Sequence, residues 1–240
     1  MGVSVWRRLV AILFPERCVS CGEVILPGEG TCAACRVAWP TIGVPICPHC
    51  GLEKEWCDCR RRRRHYERVV ASWYYDGAAA RAVMRMKEND DPLSVAYFAD
   101  VLADTVHQHY EDIFFDGVVF VPATRRDYRR RGYNPGEWVA RETAKRLKLP
   151  CLPYLRKIYE TAPQKRLSAE QRGGNLLGVY DVTEETLEGK TLLLIDDVVT
   201  TGATLDECAK MLKIYGAEAV YAATVAATRK QKEKEDDRLL

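Results

Sequence analysis

LLLIDDVVTTGAT, spanning Leu192–Thr204, runs four apolar residues of strand character into two adjacent carboxylates, Asp196 and Asp197. A short loop of Thr, Thr, Gly, Ala and Thr follows, and a helical pattern starts at Leu205. A compact apolar run bounded by turn residues reads as a buried strand, and open α/β sheets bind ligands at the carboxyl ends of their strands. Two carboxylates at such a place are costly without partners. Two neighbouring hydroxyls of a sugar would supply them. The loop offers backbone N–H groups, hydroxyls and a glycine that admits close approach, and it opens a helix whose N-terminus favours an anion. The combination suits a ribose 5-phosphate: Asp196 and Asp197 take the ribose, and Val198, Val199, Thr200, Thr201, Gly202, Ala203 and Thr204 surround the phosphate.

Strand and helix patterns alternate on both sides of this segment. Val69–Tyr75 reads as a strand, Ala78–Met86 and Leu93–Tyr110 as helices, the second opened by Asp91 and Pro92. Gly117–Val121 reads as a buried strand that ends at Pro122, and Gly136–Leu147 as a helix. Short strands are expected at Leu152–Leu155 and Val179–Val182, with a polar, glycine-containing loop over 159–177 between them. After the central strand come a helix at Leu205–Ile214, closed by Gly216 as a C′ glycine, and a last strand at Ala219–Ala226. Such alternation predicts an α/β fold with a parallel sheet. It is expected to fill residues 67–228, between an N-terminal module at 1–66 and a charged tail at 229–240.

The chain has 240 residues, 29% of them charged, and a formal net charge of +2, too small to imply a nucleic-acid partner by itself. Its ten cysteines are unevenly spread: eight lie between Cys18 and Cys59. Val5–Phe14 is apolar but interrupted by Arg7 and Arg8, and no small-residue cleavage site follows, so neither a secretory signal nor a membrane span is expected. Residues 4–14 read instead as a short amphipathic helix packed on the protein. The expected location is the cytoplasm, where clustered Cys-x2-Cys pairs act as metal ligands rather than disulfides. The first cluster is Cys18, Cys21, Cys32 and Cys35; the second is Cys47, Cys50, Cys57 and Cys59. Four thiolates close a tetrahedral Zn2+ site and leave no open position, so the metal is structural. The last pair has one intervening residue instead of two, which leaves His49 open as an alternative ligand. The short intervals favour sequential over crosswise pairing of the clusters.

Two segments are rich in arginine. Arg60–Arg64 follows the second cluster, bracketed by Trp56 and Tyr66. Basic residues beside aromatics suit phosphates and stacked bases, while a solvated linker is the competing reading. Both put the run in solvent. The second segment, VPATRRDYRRRGYN at 121–134, leaves the strand before it as an arginine-rich loop. Lys87, after a helix, is expected to be exposed, with a place in the site as the alternative.

Residues 192–204 resemble the 5-phosphoribosyl-1-pyrophosphate (PRPP) signature of type I phosphoribosyltransferases. By the same resemblance, 121–134 is the pyrophosphate loop, with the main chain of Ala123 and Thr124 and the cation Arg131 on the leaving group. YETAPQKRLSAEQRGGN at 159–175 resembles the flap that closes over the site, with Gln164, Ser168, Arg172 and Asn175 in a Q-x3-S-x3-R-x2-N spacing. Over nearly its whole length the chain resembles the ComF family, through LFPERC-x2-CG, the double cysteine module, YDGAAARAVMRMK and the segments above. That family's Arg-Gly-aromatic-Asn is usually followed by Gln, and Pro135 stands here as a helix start. The resemblance implies a zinc-ribbon module joined to a phosphoribosyltransferase fold that binds PRPP with Mg2+, its acceptor unspecified. It also implies natural competence, with incoming single-stranded DNA as a partner. The rival expectation is a non-catalytic adaptor that senses PRPP or a nucleotide and binds DNA or a competence helicase through its zinc module.

Overall fold

Leu192, Leu193, Leu194 and Ile195 are all fully buried. Alternate side chains of a strand point to opposite faces, so burial at every position requires cover on both sides. The computed structural model, which describes residues 15–57, 59, 63–89, 91–158 and 179–229, has that cover. The expected helix at 4–14, Arg60–Arg62, the flap with Gln164, Ser168 and Arg172, and the tail from residue 230 lie outside the described residues.

In chain order the elements are α1 (Ala33–Val37), a 3-10 turn (Lys54–Trp56), β1 (Arg68–Tyr74), α2 (Gly77–Asn89), α3 (Pro92–His109), β2 (Gly117–Phe120), α4 (Arg125–Arg131), α5 (Pro135–Leu147), β3 (Leu155–Lys157), β4 (Tyr180–Val182), β5 (Thr191–Val199), α6 (Ala203–Ile214) and β6 (Ala219–Ala227). The main sheet runs β1-β6-β5-β2, and every pair in it is parallel. β3 and β4 form a separate antiparallel pair. Leu192 and Leu194 pack with Leu205, Cys208 and Leu212 of α6. Leu193 and Ile195 pack on the opposite face with Phe98 and Leu102 of α3 and Val139 and Ala140 of α5. The fold is the parallel-sheet α/β arrangement expected, and Gly216, at φ +100, closes α6.

Three local features differ from the sequence reading, and the first is the short strand expected at Leu152–Leu155, which shares only Leu155 with β3. The central strand does not stop at the carboxylates: Asp196 pairs with Thr224, Val198 with Ala226 and Val199 with Ala227, because the long apolar β6 extends the ladder beside them. Val198 and Val199 are therefore strand residues rather than loop. The arginine-rich segment after β2, expected as a loop, contains helix α4. Thr124 Oγ1 accepts the Asp127 N–H at 2.9 Å to cap its start, and Gly132 at φ +80 ends it.

The N-terminal module packs along β1. The Val69 N–H donates to Pro48 O at 2.9 Å and the Tyr74 N–H to Pro40 O at 2.8 Å. Trp39 stacks on Trp73 at 4.2 Å between ring centroids, with Tyr97 6.0 Å from Trp39. Among the described residues no helix is long and apolar enough to cross a membrane.

Candidate active site and metal centres

β2 and β5 are neighbours, but the chain leaves them in opposite directions, toward α5 on one face and α6 on the other. That divergence opens a crevice at their carboxyl ends, the usual ligand position in such sheets. Asp196 and Asp197 lie there on β5. The Asp197 N–H donates to Asp196 Oδ1 at 2.9 Å. Lys87 Nζ, at the end of α2, lies 2.8 Å from Asp197 Oδ2, with the two side chains 20% and 19% exposed. Lys87 is thus part of the carboxylate site rather than free in solvent. Burial and the neighbouring Asp197 carboxylate push the Asp196 carboxyl up to about 8, against the pull of Lys87.

This shift predicts a pH dependence. An unfolded Asp titrates near about 3.9, so the folded chain holds the extra proton between roughly pH 4 and 8. The stability contributed by Asp196 is complete below that window and is lost as pH rises through it. Asp196→Asn should flatten the decline, as measured by urea unfolding at several pH values; an identical decline in the variant would contradict the assignment.

The loop after β2 is fixed by Asn134. Its Nδ2 donates to Val121 O at 3.1 Å, and its Oδ1 accepts the Gly136 N–H at 3.1 Å. Pro135 is the first residue of α5, which explains its tolerance there. Ala123 and Thr124 are half-buried beside this loop, and the Thr124 hydroxyl is occupied with Asp127, whose carboxyl it holds below the usual range. Arg131 is half-buried and lines a cavity of about 350 Å³ together with Lys87, Glu88 and Tyr133. The cavity sets the end of the arginine helix beside Lys87, the ionic partner of Asp197. Arg125, Arg126, Arg129 and Arg130 are exposed.

On the far side of the carboxylates, Thr200, Thr201, Ala203 and Thr204 are exposed around a buried Gly202. Gly202 is the N-cap of α6 at φ +73; it has no side chain to cap the helix, and the neighbouring Thr201 hydroxyl accepts the Ala203 N–H at 3.3 Å. A Cβ at this position would lie 2.7 Å from the Tyr66 hydroxyl. Gly202→Ala should therefore lower stability by about 1–3 kcal/mol, read as a shift of the urea midpoint. An unshifted midpoint would mean that the turn relaxes freely.

Arg64 departs from the expectation of an exposed arginine run. Its side chain is 12% exposed because it reaches Thr201 O and Asp206. Neither this contact nor that of Lys87 is visible in sequence, since each partner is supplied by the fold.

The eight clustered cysteines gather in sequential fashion. The Sγ atoms of Cys18, Cys21, Cys32 and Cys35 lie within 4.8 Å of one another, as do those of Cys47, Cys50, Cys57 and Cys59. Zinc–thiolate bonds of about 2.3 Å in a tetrahedron require sulfurs about 3.8 Å apart. Cys21 and Cys32 are at 3.7 Å, so the donor set fits that metal. Burial pushes the Cys59 thiol up to about 11 and raises Cys50 as well, a state that a bound cation reverses by deprotonating its ligands. His49 is not in either group; its carbonyl accepts from the Tyr66 hydroxyl at 2.6 Å.

Residues 134–239 match the Phosphoribosyl transferase domain family and residues 9–63 the Double zinc ribbon domain family. The fold and the cysteine clusters thus define a zinc ribbon of the structural type joined to a phosphoribosyltransferase fold. "Competence protein F" of Haemophilus influenzae is 28% identical over 222 residues, covering 86% of this chain and 95% of its own length. "DNA utilization protein YhgH" of Escherichia coli K12 is 27% identical over 216 residues, covering 86% and 94%. "Competence protein ComFC" of Streptococcus pneumoniae is 28% identical over 194 residues, covering 79% and 84%. The chain is a ComFC-like protein.

Proposed function

We propose that the chain binds PRPP with Mg2+ at the carboxyl ends of β5 and β2 and transfers its phosphoribosyl group to an acceptor. The observation that carries this reading is the Asp196–Asp197 pair on an inner strand, followed by a helix N-terminus with glycine at its N-cap and ion-paired to Lys87, which with Arg131 lines a cavity. Asp196 and Asp197 accept hydrogen bonds from the ribose hydroxyls, the Thr200–Thr204 turn takes the 5-phosphate, and Arg131 faces the pyrophosphate. Mg2+ carried by the ligand neutralises part of its charge. Bond cleavage at the anomeric carbon needs no protein nucleophile, because charge leaves with pyrophosphate, and fixed donors stabilise that charge as it develops. The flap residues Gln164, Ser168 and Arg172 belong to this proposal as the part that excludes water.

The names of the relatives favour a second reading, since they speak of competence and DNA utilization rather than of a transferase. In that reading the chain serves competence or DNA use as a PRPP-sensing adaptor, with single-stranded DNA or a helicase held at the zinc module and its arginine run. The test is calorimetry with PRPP and Mg2+, followed by a screen of bases, amines and single-stranded DNA for pyrophosphate release. Binding with release establishes the transferase. Binding without release for every acceptor favours the adaptor, and no binding rejects both. Replacing Arg60–Arg63 by serine should weaken single-strand binding and flatten its salt dependence; if neither changes, those four arginines are a linker.

A further inference from the structure

A solvated linker has no reason to grip another domain, yet the hinge after the second cysteine group does so. Arg64 Nη2 donates to Thr201 O at 2.6 Å, and Nη1 lies 3.6 Å from Asp206 Oδ2. The buried Arg64 Nε has no hydrogen-bond partner among the described residues. The next residue joins the same carboxylate: the His65 N–H donates to Asp206 Oδ1 at 2.6 Å. Tyr66 then stands against Gly202, and its hydroxyl donates to the carbonyl of His49, which lies between Cys47 and Cys50. A continuous route of covalent and hydrogen bonds therefore runs from the second cysteine group to the turn that opens α6.

Electrostatics gives the route a use. Asp206 stands in the first turn of α6, where its charge repels an arriving phosphate. Arg64 and the His65 N–H compensate that charge, and the Arg64 bond fixes the Thr201 carbonyl toward the hinge. We propose that Arg64–Tyr66 is a positioning brace through which metal in the Cys47–Cys59 group raises the affinity of the Thr200–Thr204 turn for the 5-phosphate of its ligand. The inference rests on the PRPP reading above. Arg64 acts on the ligand through the turn and through Asp206.

Coupling between two binding sites is reciprocal, so the ligand must also raise zinc affinity in the second group. The test uses the full-length, zinc-loaded protein. Arg64→Ala should weaken PRPP and ribose 5-phosphate by about tenfold, in the usual range of such couplings, and leave pyrophosphate binding unchanged. Adding Asp206→Asn to Arg64→Ala should restore part of the loss, because the uncompensated carboxylate is removed; a purely structural role for Arg64 predicts no restoration. For the wild type, a chelator titration with saturating PRPP should show one of the two zinc ions held more tightly, a measurement that needs no variant to fold. PRPP binding by the wild type together with unchanged affinity in Arg64→Ala overturns the brace alone. So does a ligand-independent zinc affinity, or an equal loss of pyrophosphate binding. Failure of the wild type to bind PRPP overturns the functional reading and the brace with it.

Discussion

Asp196→Asn combined with Asp197→Asn should abolish detectable PRPP·Mg2+ binding in calorimetry while the protein melts no lower than the wild type at neutral pH. Each of the two side chains is proposed to accept from a ribose hydroxyl, and a hydrogen bond is worth about 1 kcal/mol between neutral groups and about 1.5–3 kcal/mol where one is charged. Asparagine keeps one accepting oxygen but carries no charge and presents an NH2 that cannot accept, so the double change reduces affinity by roughly two orders of magnitude. Lys87 would also lose its ionic partner at 2.8 Å, which loosens the geometry of the pair. Stability should move the other way. Adjacent carboxylates in a half-buried crevice raise each other's free energy, as the upward shift of Asp196 reflects. A variant that is as stable but does not bind separates function from folding. Unchanged affinity would reject these two residues as the ribose site.

The second large effect concerns metal. Stripping zinc with a strong chelator should unfold the N-terminal module, release two zinc ions per chain and quench the Trp39–Trp73 stacking signature in tryptophan emission and circular dichroism. The first cysteine cluster has almost no apolar core of its own: Cys18, Cys32 and Cys35 are its buried members, with Ile25 packed against them. Structural zinc contributes about 10–16 kcal/mol to small zinc-finger folds. A whole domain has only about 5–15 kcal/mol of net stability, so the module should not survive the loss. Cys18→Ser and Cys47→Ser should each cost one zinc ion, since the two groups are separate. Fewer than one zinc per chain in the purified protein, or unchanged tryptophan signals after chelation, would reject the structural role.

Much of the fold was legible because its signals are local. The run Leu192–Ile195 announces a strand covered on both faces, and Asp91-Pro92 and Gly216 announce a helix start and a helix end. The cysteine spacing led to sequential groups because pairs close in sequence are close in space. Helix α4 was missed although its capping residues were present, Thr124 three residues before Asp127 and Gly132 after the arginines. With no apolar stripe, nothing but the caps marked it. The extension of β5 through Asp196–Val199 was illegible for a different reason: it depends on pairing with Thr224–Ala227, far along the chain. The roles of Lys87 and Arg64 belong to the same class, as each is defined by a carboxylate that only the folded chain brings near.

The bonds between the N-terminal module and β1 carry one more consequence. A strand at the border of a sheet offers free N–H and C=O groups on which another chain can grow. Here the acceptors for Val69 and Tyr74 are the carbonyls of Pro48 and Pro40, and proline has no N–H with which to pass a ladder onward. The module therefore terminates the sheet at these points. Its loss would uncover a seven-residue strand with the pattern Arg-Val-Val-Ala-Ser-Trp-Tyr, rich in β-formers and in a single charge. Zinc depletion is then expected to promote self-association through this edge as well as unfolding.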